Sequence, residues 1–257
     1  MKQFVCLSGL PRTGSTLLSA ILCQNPKIHA EGNSALCQIM WDTQQSCLTS
    51  AKEQLAANNR SHTMYDIITK LPELYYKDIE ESIIVDKCRS WTLKANVEML
   101  KNYITKDFKI IVMERPIIEI VKSFAKLYRS NNSGIISTNF EEKLVEPGSE
   151  PIMRSLEGIH WAKQNNQNNN FLFISYDELV NNTEITIKKI YDFCEWEYFH
   201  HDFTNIVVKY PENDEIYKLH GHHEIRPTIK KIENNVVLSK ELEAYCLMID
   251  KVMGYGI

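Results

Sequence analysis

Phe4-Val5-Cys6-Leu7-Ser8-Gly9-Leu10-Pro11-Arg12-Thr13-Gly14-Ser15-Thr16-Leu17-Leu18 is the stretch on which the fold turns. The apolar run Phe4 to Leu7 reads as a buried strand. A loop with two glycines follows, and Ser15-Thr16 then opens a helical pattern reaching about Cys23. Strand, glycine loop and helix N-terminus make a phosphate cradle: backbone N–H groups point at one spot and the helix dipole adds partial positive charge there. Gly14 permits a close backbone approach or a positive φ, and Ser15 and Thr16 add hydroxyls. Gly9 and Gly14 have the five-residue separation of a Walker A loop, but Ser15 stands where that motif has Lys. The cation has moved into the loop as Arg12, whose guanidinium offers phosphate oxygens a planar fork. The loop is therefore built for a 5′-phosphate group, without the usual equipment for cleaving a nucleoside triphosphate.

Working outward, further segments alternate between strand and helix patterns. Ser82 to Val85, Phe108 to Met113 and Phe171 to Tyr176 are short apolar runs suited to buried parallel strands. Helical spacing covers 35–47, 62–76, 91–104, 117–128, 151–165 and 183–196, and Ser239 to Met253 closes the chain as a helix capped by Ser239. Residues 27–34 read as a connection and 55–59 as a loop. The stretches 129–149 and 198–235 read as irregular surface segments. This order predicts an α/β chain: a three-layer, P-loop-like fold with a central parallel sheet flanked by helices, as one domain over 1–257.

Composition narrows the function classes. The chain has 257 residues, 44% hydrophobic and 24% charged, which suits a soluble globular protein with a substantial core. A net charge of −4 with no Lys/Arg-rich block argues against nucleic acid as the partner. The seven cysteines are scattered without a CxxC pair, which predicts reduced thiols in a cytoplasmic setting. No run approaches transmembrane length, and the first strand starts too early for a signal peptide.

In an open parallel sheet, ligands bind beyond the carboxyl ends of the strands. Those ends carry Arg12 to Thr16 after the first strand, Asp86, Lys87 and Arg89 after the second, Arg115 after the third and Tyr176 after the fourth. Three cationic sites converge on one phosphate cradle, which points to a polyanionic ligand.

These residues resemble the sulfotransferases that use 3′-phosphoadenosine 5′-phosphosulfate (PAPS). Pro11 to Leu18 resembles their 5′-phosphosulfate loop, here Arg12, Thr13, Gly14, Ser15 and Thr16. Arg115-Pro116 followed by Ser123 is similar to their 3′-phosphate motif; two helical turns put the serine on the arginine's side. Phe173 to Leu179 resembles the signature in which a tyrosine, Tyr176 here, lies near the adenosine. The closer likeness is to the bacterial and viral branch and to the tyrosylprotein enzymes, in which arginine fills the loop cation position.

The resemblance implies sulfuryl transfer from PAPS to an acceptor hydroxyl or amine, releasing 3′-phosphoadenosine 5′-phosphate (PAP). Positioned cations and N–H groups carry the stabilisation, with no obligatory metal. It implies Arg12 on the phosphosulfate, Lys87 supporting the leaving phosphate, and Arg226 in Ile225-Arg226-Pro227 as part of a late loop near the 3′-phosphate. A base for the acceptor is expected at Glu31, with Asp86 as the competing carboxylate, which could instead pair with Lys87 or orient it. His220, His222 and His223 lack the HExxH spacing of a metal site and read as solvated loop histidines. Two other readings stay open: a P-loop kinase or NTPase, with Ile83 to Asp86 as its Walker B strand, and a non-catalytic nucleotide-binding protein. The acceptor, whether carbohydrate, lipid, peptide or small molecule, is not specified by these residues.

Overall fold

β1 (Gln3–Gly9) lies at the centre of a five-stranded parallel sheet, in the order β2-β3-β1-β4-β5. The computed structural model describes residues 2–131, 139–231 and 234–255. After β1 come α1 (Ser15–Leu22), β2 (Ile28–Ala30), α2 (Leu36–Leu48), α3 (Lys52–Ala57), α4 (Thr63–Tyr75) and β3 (Ile83–Lys87). A 3-10 turn over Arg89–Thr92 leads to α5 (Lys94–Tyr103), β4 (Ile110–Glu114), α6 (Ile117–Ser130), α7 (Phe140–Lys143) and α8 (Met153–Gln164). The chain then forms β5 (Phe171–Ser175), α9 (Tyr176–Asn181), α10 (Thr183–Cys194), α11 (Asp214–Tyr217) and α12 (Lys240–Met253). The central part of the excursion expected at 129–149 falls outside the described residues.

Both faces of the sheet are covered, which is why its strands read as continuous apolar runs rather than alternating ones. Val5 and Leu7 point to the α1 and α10 side and pack with Leu18, Ile21, Ile187 and Ile190. Cys6, Ile84, Ile110 and Val112 point to the opposite side, where Trp91, Val121, Phe124 and Ile159 complete a larger core. The three-layer α/β architecture read from the sequence is thus the observed one. Among the described residues no helix is long and apolar enough to cross a membrane.

Three local expectations change. Ile28–Ala30, read as a connection, is a fully buried edge strand paired in parallel with β3. Three residues are too few to display a period. Lys52–Ala57, partly read as a loop, is a short helix with no buried residue, so no apolar stripe announces it. Trp91 sits in the 3-10 turn rather than in α5, because its indole donates to Asp86 at 2.6 Å. The end of α12 capped by Ser239 is as expected: its hydroxyl accepts from the Leu242 N–H at 3.2 Å.

Gly9 is required where β1 turns into the loop. At φ +133° it occupies a region closed to side chains, and a Cβ there would lie 2.2 Å from the Met113 carbonyl oxygen. The glycine lets β1 run against β4 to its last residue, where Leu10 N–H donates to Met113 at 3.0 Å.

Candidate functional site

The carboxyl ends of β1, β3, β4 and β5 open into one cavity of about 750 Å³. Its floor is the loop from Leu10 to α1. Arg12 and Gly14 both adopt left-handed backbone conformations, at φ +58° and +79°. This curls the loop so that Arg12, Gly14, Ser15 and Thr16 all line the cavity. Gly14 is the N-cap of α1 and supplies no side-chain cap, so the first N–H groups of the helix face the cavity lined by Gly14, Ser15, Thr16 and Leu17. Thr13 differs from its neighbours. It is fully buried, and its hydroxyl is spent on the Leu10 carbonyl at 2.8 Å, which braces the loop from within.

Arg12 and the third-strand motif meet directly. Arg12 Nε donates to Ser123 Oγ at 3.1 Å, and Arg115 Nη1 donates to the Arg12 carbonyl at 3.0 Å. Arg115 is 6% exposed; its guanidinium lies 4.2 Å over the Tyr176 ring and 3.4 Å from Glu119. The Tyr176 ring in turn lies against Gly14, where an added Cβ would approach it at 3.2 Å. α6, which carries Ser123, is held from the far end of the chain: Asp250 accepts from the N–H groups of Ile117 and Ile118 at 2.5 and 3.3 Å. Pro116 is the N-cap of that helix and has no side-chain acceptor to offer, which leaves those first donors to Asp250. Burial, followed by the neighbouring Arg115, pushes Arg12 below the usual guanidinium range, as burial does for Arg115. A half-buried and a buried cation side by side make a site that calls for an anion.

At the end of β3, alternation sends adjacent residues to opposite faces. Lys87 points into the cavity with Arg89. It is 9% exposed, and among the described residues no carboxylate lies within ion-pair distance of its ammonium. Burial lowers Lys87 to about 8, with Glu212 the largest compensating charge and Arg89 and Arg12 opposing it. Asp86 points the other way. It is completely buried and accepts from Ser34 at 2.6 Å, Tyr76 at 2.7 Å and Trp91 at 2.6 Å. Neither the competing-base reading nor the alternative pairing with Lys87 fits, because the two side chains leave the strand on opposite faces and Asp86 is outside the cavity lining. Glu31 lies at the end of β2 outside the cavity lining, 2.9 Å from His29 Nε2.

The late segment folds over the cavity mouth. The His222 carbonyl accepts from Arg12 Nη1, and Asn131 exchanges two hydrogen bonds with the backbone of His220, at 2.8 and 3.1 Å. His222 and His223 are not solvated, contrary to the expectation for a loop of this composition. His222 stacks on Phe124 and is pushed down to about 3, first by burial and then by His223 and Arg12. His223 Nδ1 lies 2.6 Å from Asp214, and its Nε2 is 3.4 Å from Glu212. His220 and Arg226 line the cavity with exposed side chains. Among the described residues no group of three His, Cys, Asp or Glu side chains has the geometry to hold a metal ion. Glu212 and Asp214 were not singled out in the sequence. The local signal was Asn213, whose side chain caps α11 and thereby sets Asp214 beneath His223.

Of the sequence-derived residues, Arg12, Gly14, Ser15, Thr16, Lys87, Arg115, Ser123, Tyr176 and Arg226 line this cavity, and Thr13 and Glu31 do not. The model of the sulfotransferase family matches residues 5–200 of the chain. No curated protein sequence matches it. Among solved structures, it superposes on a sulfotransferase domain from the curacin biosynthetic pathway with a TM-score of 0.62 at 16% identity, covering 100% of this chain and 98% of the other. A sulfotransferase domain from the Synechococcus PCC 7002 olefin synthase gives 0.61 at 16% identity, with 100% and 97% covered. A sulfotransferase from Alicyclobacillus acidocaldarius gives 0.57 at 10% identity, again covering 100% and 97%. At these identities the likeness is one of fold.

Proposed function

The chain belongs to the sulfotransferase family, and on that premise we propose that it transfers a sulfuryl group from PAPS to a hydroxyl or amine of its acceptor. One observation carries the reading: Arg12 hydrogen-bonds both Ser123 and Arg115, from other elements, beside an uncapped helix N-terminus in a single cavity. That set fits an adenosine ligand bearing phosphate on both the 5′ and 3′ sides. The inward N–H groups and hydroxyls of Ser15 and Thr16 suit the first, and the buried Arg115 fork, with Ser123 and Arg226, the second.

Bound there, PAPS supplies the sulfuryl group and departs as PAP. Arg12 must release the His222 carbonyl and Ser123 to meet the 5′ side, so ligand binding trades internal partners for charge-assisted ones. Lys87, already desolvated and without a close counter-ion, faces charge developing on the leaving phosphate, and its low dielectric surroundings strengthen that contact. Tyr176 holds Arg115 in plane from below. For the acceptor proton we infer His223, oriented through Nδ1 by Asp214 and acting through Nε2 once the acceptor displaces Glu212 from it, with Glu31 as the alternative if the end of β2 reaches the bound acceptor. A nucleotide-hydrolysing reading would need Asp86 toward the phosphates, and its carboxylate is engaged on the other face.

The test is calorimetry with PAP and with ATP, followed by transfer of radiolabelled sulfate from PAPS to a mixed acceptor panel. PAP binding at least about tenfold tighter than ATP, about 1.4 kcal/mol, is expected. Tighter ATP binding would sink the proposal, and PAP binding without any transfer would favour a non-catalytic member of the fold.

A further inference from the structure

Two cysteines behind the site take no part in the chemistry above. Cys88 follows Lys87 at the end of β3, and Cys37 lies in the first turn of α2. Their sulfurs flank the same hydroxyl: Cys88 Sγ is 3.1 Å from Ser90 Oγ and Cys37 Sγ is 3.7 Å from it. Cys37 is 1% exposed, whereas Cys88 is half-buried and accessible to a small oxidant. Of the other buried thiols, Cys6 neighbours Cys88 from β1 but is fully buried, Cys246 lies elsewhere in the same core, and Cys23 and Cys194 lie in the opposite one. Proximity through a shared hydroxyl and unequal exposure are what a reactive thiol and its resolving partner require.

We propose that Cys88 and Cys37 form a reversible oxidation site, in which Cys88 reacts with a peroxide and Cys37 closes a disulfide. The local electrostatics agree with that division of labour. The neighbouring Cys37 and Ser90 lower Cys88 against the effect of burial, while Cys88 and burial together push Cys37 up. Cys88 is therefore the more readily ionised of the two thiols, and Cys37 the one that keeps its proton. In the first step the Cys88 thiolate attacks one peroxide oxygen. The S–O bond forms, the O–O bond breaks, and hydroxide leaves to become water. The Cys37 sulfur then attacks Cys88; the S–S bond forms, the S–O bond breaks, and the departing hydroxide takes the Cys37 proton. Two thiols lose two electrons and one peroxide gains them. The bridge would tether the start of α2 to the residue between Lys87 and Arg89, both of which line the cavity.

The experiment uses the reduced full-length chain, treated at pH 7 with a small excess of hydrogen peroxide, blocked with N-ethylmaleimide and mapped by peptide mass spectrometry. A Cys37–Cys88 cross-link that forms before modification at Cys47, the other half-buried thiol, and that dithiothreitol reverses is the expected result. With Cys37→Ser, dimedone should trap Cys88 as the sulfenic acid; with Cys88→Ser, Cys37 should stay reduced. Cys88 and Cys37 remaining free thiols while Cys47 oxidises, or Cys88 oxidising without linking to Cys37 in the unmodified chain, would overturn the proposal. None of these readouts depends on sulfuryl transfer.

Discussion

Replacing Arg115 with alanine separates recognition of the 3′-phosphate from support of the loop. The side chain is 6% exposed, sits 4.2 Å over Tyr176 and donates to the Arg12 carbonyl at 3.0 Å. A charge-assisted contact to a phosphate is worth about 2–3 kcal/mol, so Arg115→Ala should weaken PAP binding about 30- to 150-fold. Loss of the bond to the Arg12 carbonyl costs stability of only about 1 kcal/mol. Glu119, the other partner, is exposed enough to be solvated when abandoned. Calorimetry with PAP and with adenosine 5′-monophosphate, which lacks the 3′-phosphate, resolves the two effects. The variant should lose affinity for PAP and keep its affinity for the monophosphate within about threefold, or 0.7 kcal/mol. Arg115→Lys should fall between, because it keeps the charge but loses the fork and the stack on Tyr176. Equal losses for both ligands would mean that Arg115 acts through the loop, and unchanged PAP binding would remove it from the site altogether.

Three further outcomes follow from the same geometry. Burial lowers Lys87 to about 8, so its ammonium is charged below that pH and neutral above it; kcat/KM for PAPS should decline as pH rises through about 8, and Lys87→Met should flatten that limb while lowering the plateau. Asp86→Ala strands donors on Ser34, Tyr76 and Trp91 and should cost about 3 kcal/mol or more in denaturant unfolding, with PAP affinity of the folded fraction unchanged; an Asp86→Asn protein that stays folded, binds PAP and cannot transfer would contradict the structural role. Gly9→Ala puts a Cβ 2.2 Å from the Met113 carbonyl oxygen at φ +133°, a clash and backbone strain together of about 3 kcal/mol or more; a thermal midpoint equal to that of the unsubstituted chain would show that β1 and β4 can separate at no cost.

Much of the architecture was legible because parallel strands buried on both faces appear as apolar runs, and the loop after β1 carries its residues consecutively. Arg12, Gly14, Ser15 and Thr16 could be placed at the cavity by reading a dozen residues, and Arg115 and Ser123 by a spacing of two helical turns. What stayed hidden depends on contacts distant in the chain. β2 is recognisable only through its partner β3, since three residues define no alternation. Asp86 and Lys87 look like an ion pair in sequence, but strand geometry separates adjacent side chains. Glu212, Asp214 and His223 come together within an irregular segment whose composition has no period, through a turn capped by Asn213. Asp250, near the end of the chain, caps the helix bearing Ser123 across an interval of over a hundred residues. No local pattern could connect them.

Strand order adds a direction to the proposed reaction. β1 is central, with β4 and β5 on one side and β3 and β2 on the other. Arg115 and Tyr176 end β4 and β5, so a ligand gripped by Arg12 at its 5′ side and by Arg115 at its 3′ side runs from the centre toward β5. Its transferable end then faces β3, where Lys87, Arg89 and Asn33 line the cavity. On the proposed function, the acceptor enters over β3, beneath the late segment that brings His223. The groups that decide its identity should lie on the connections around β2 and β3 and not on those around β5. A chimera exchanging residues 35–76 should change acceptor preference while leaving PAP affinity intact; altered PAP affinity with unaltered acceptor choice would reverse the assignment of the two ends.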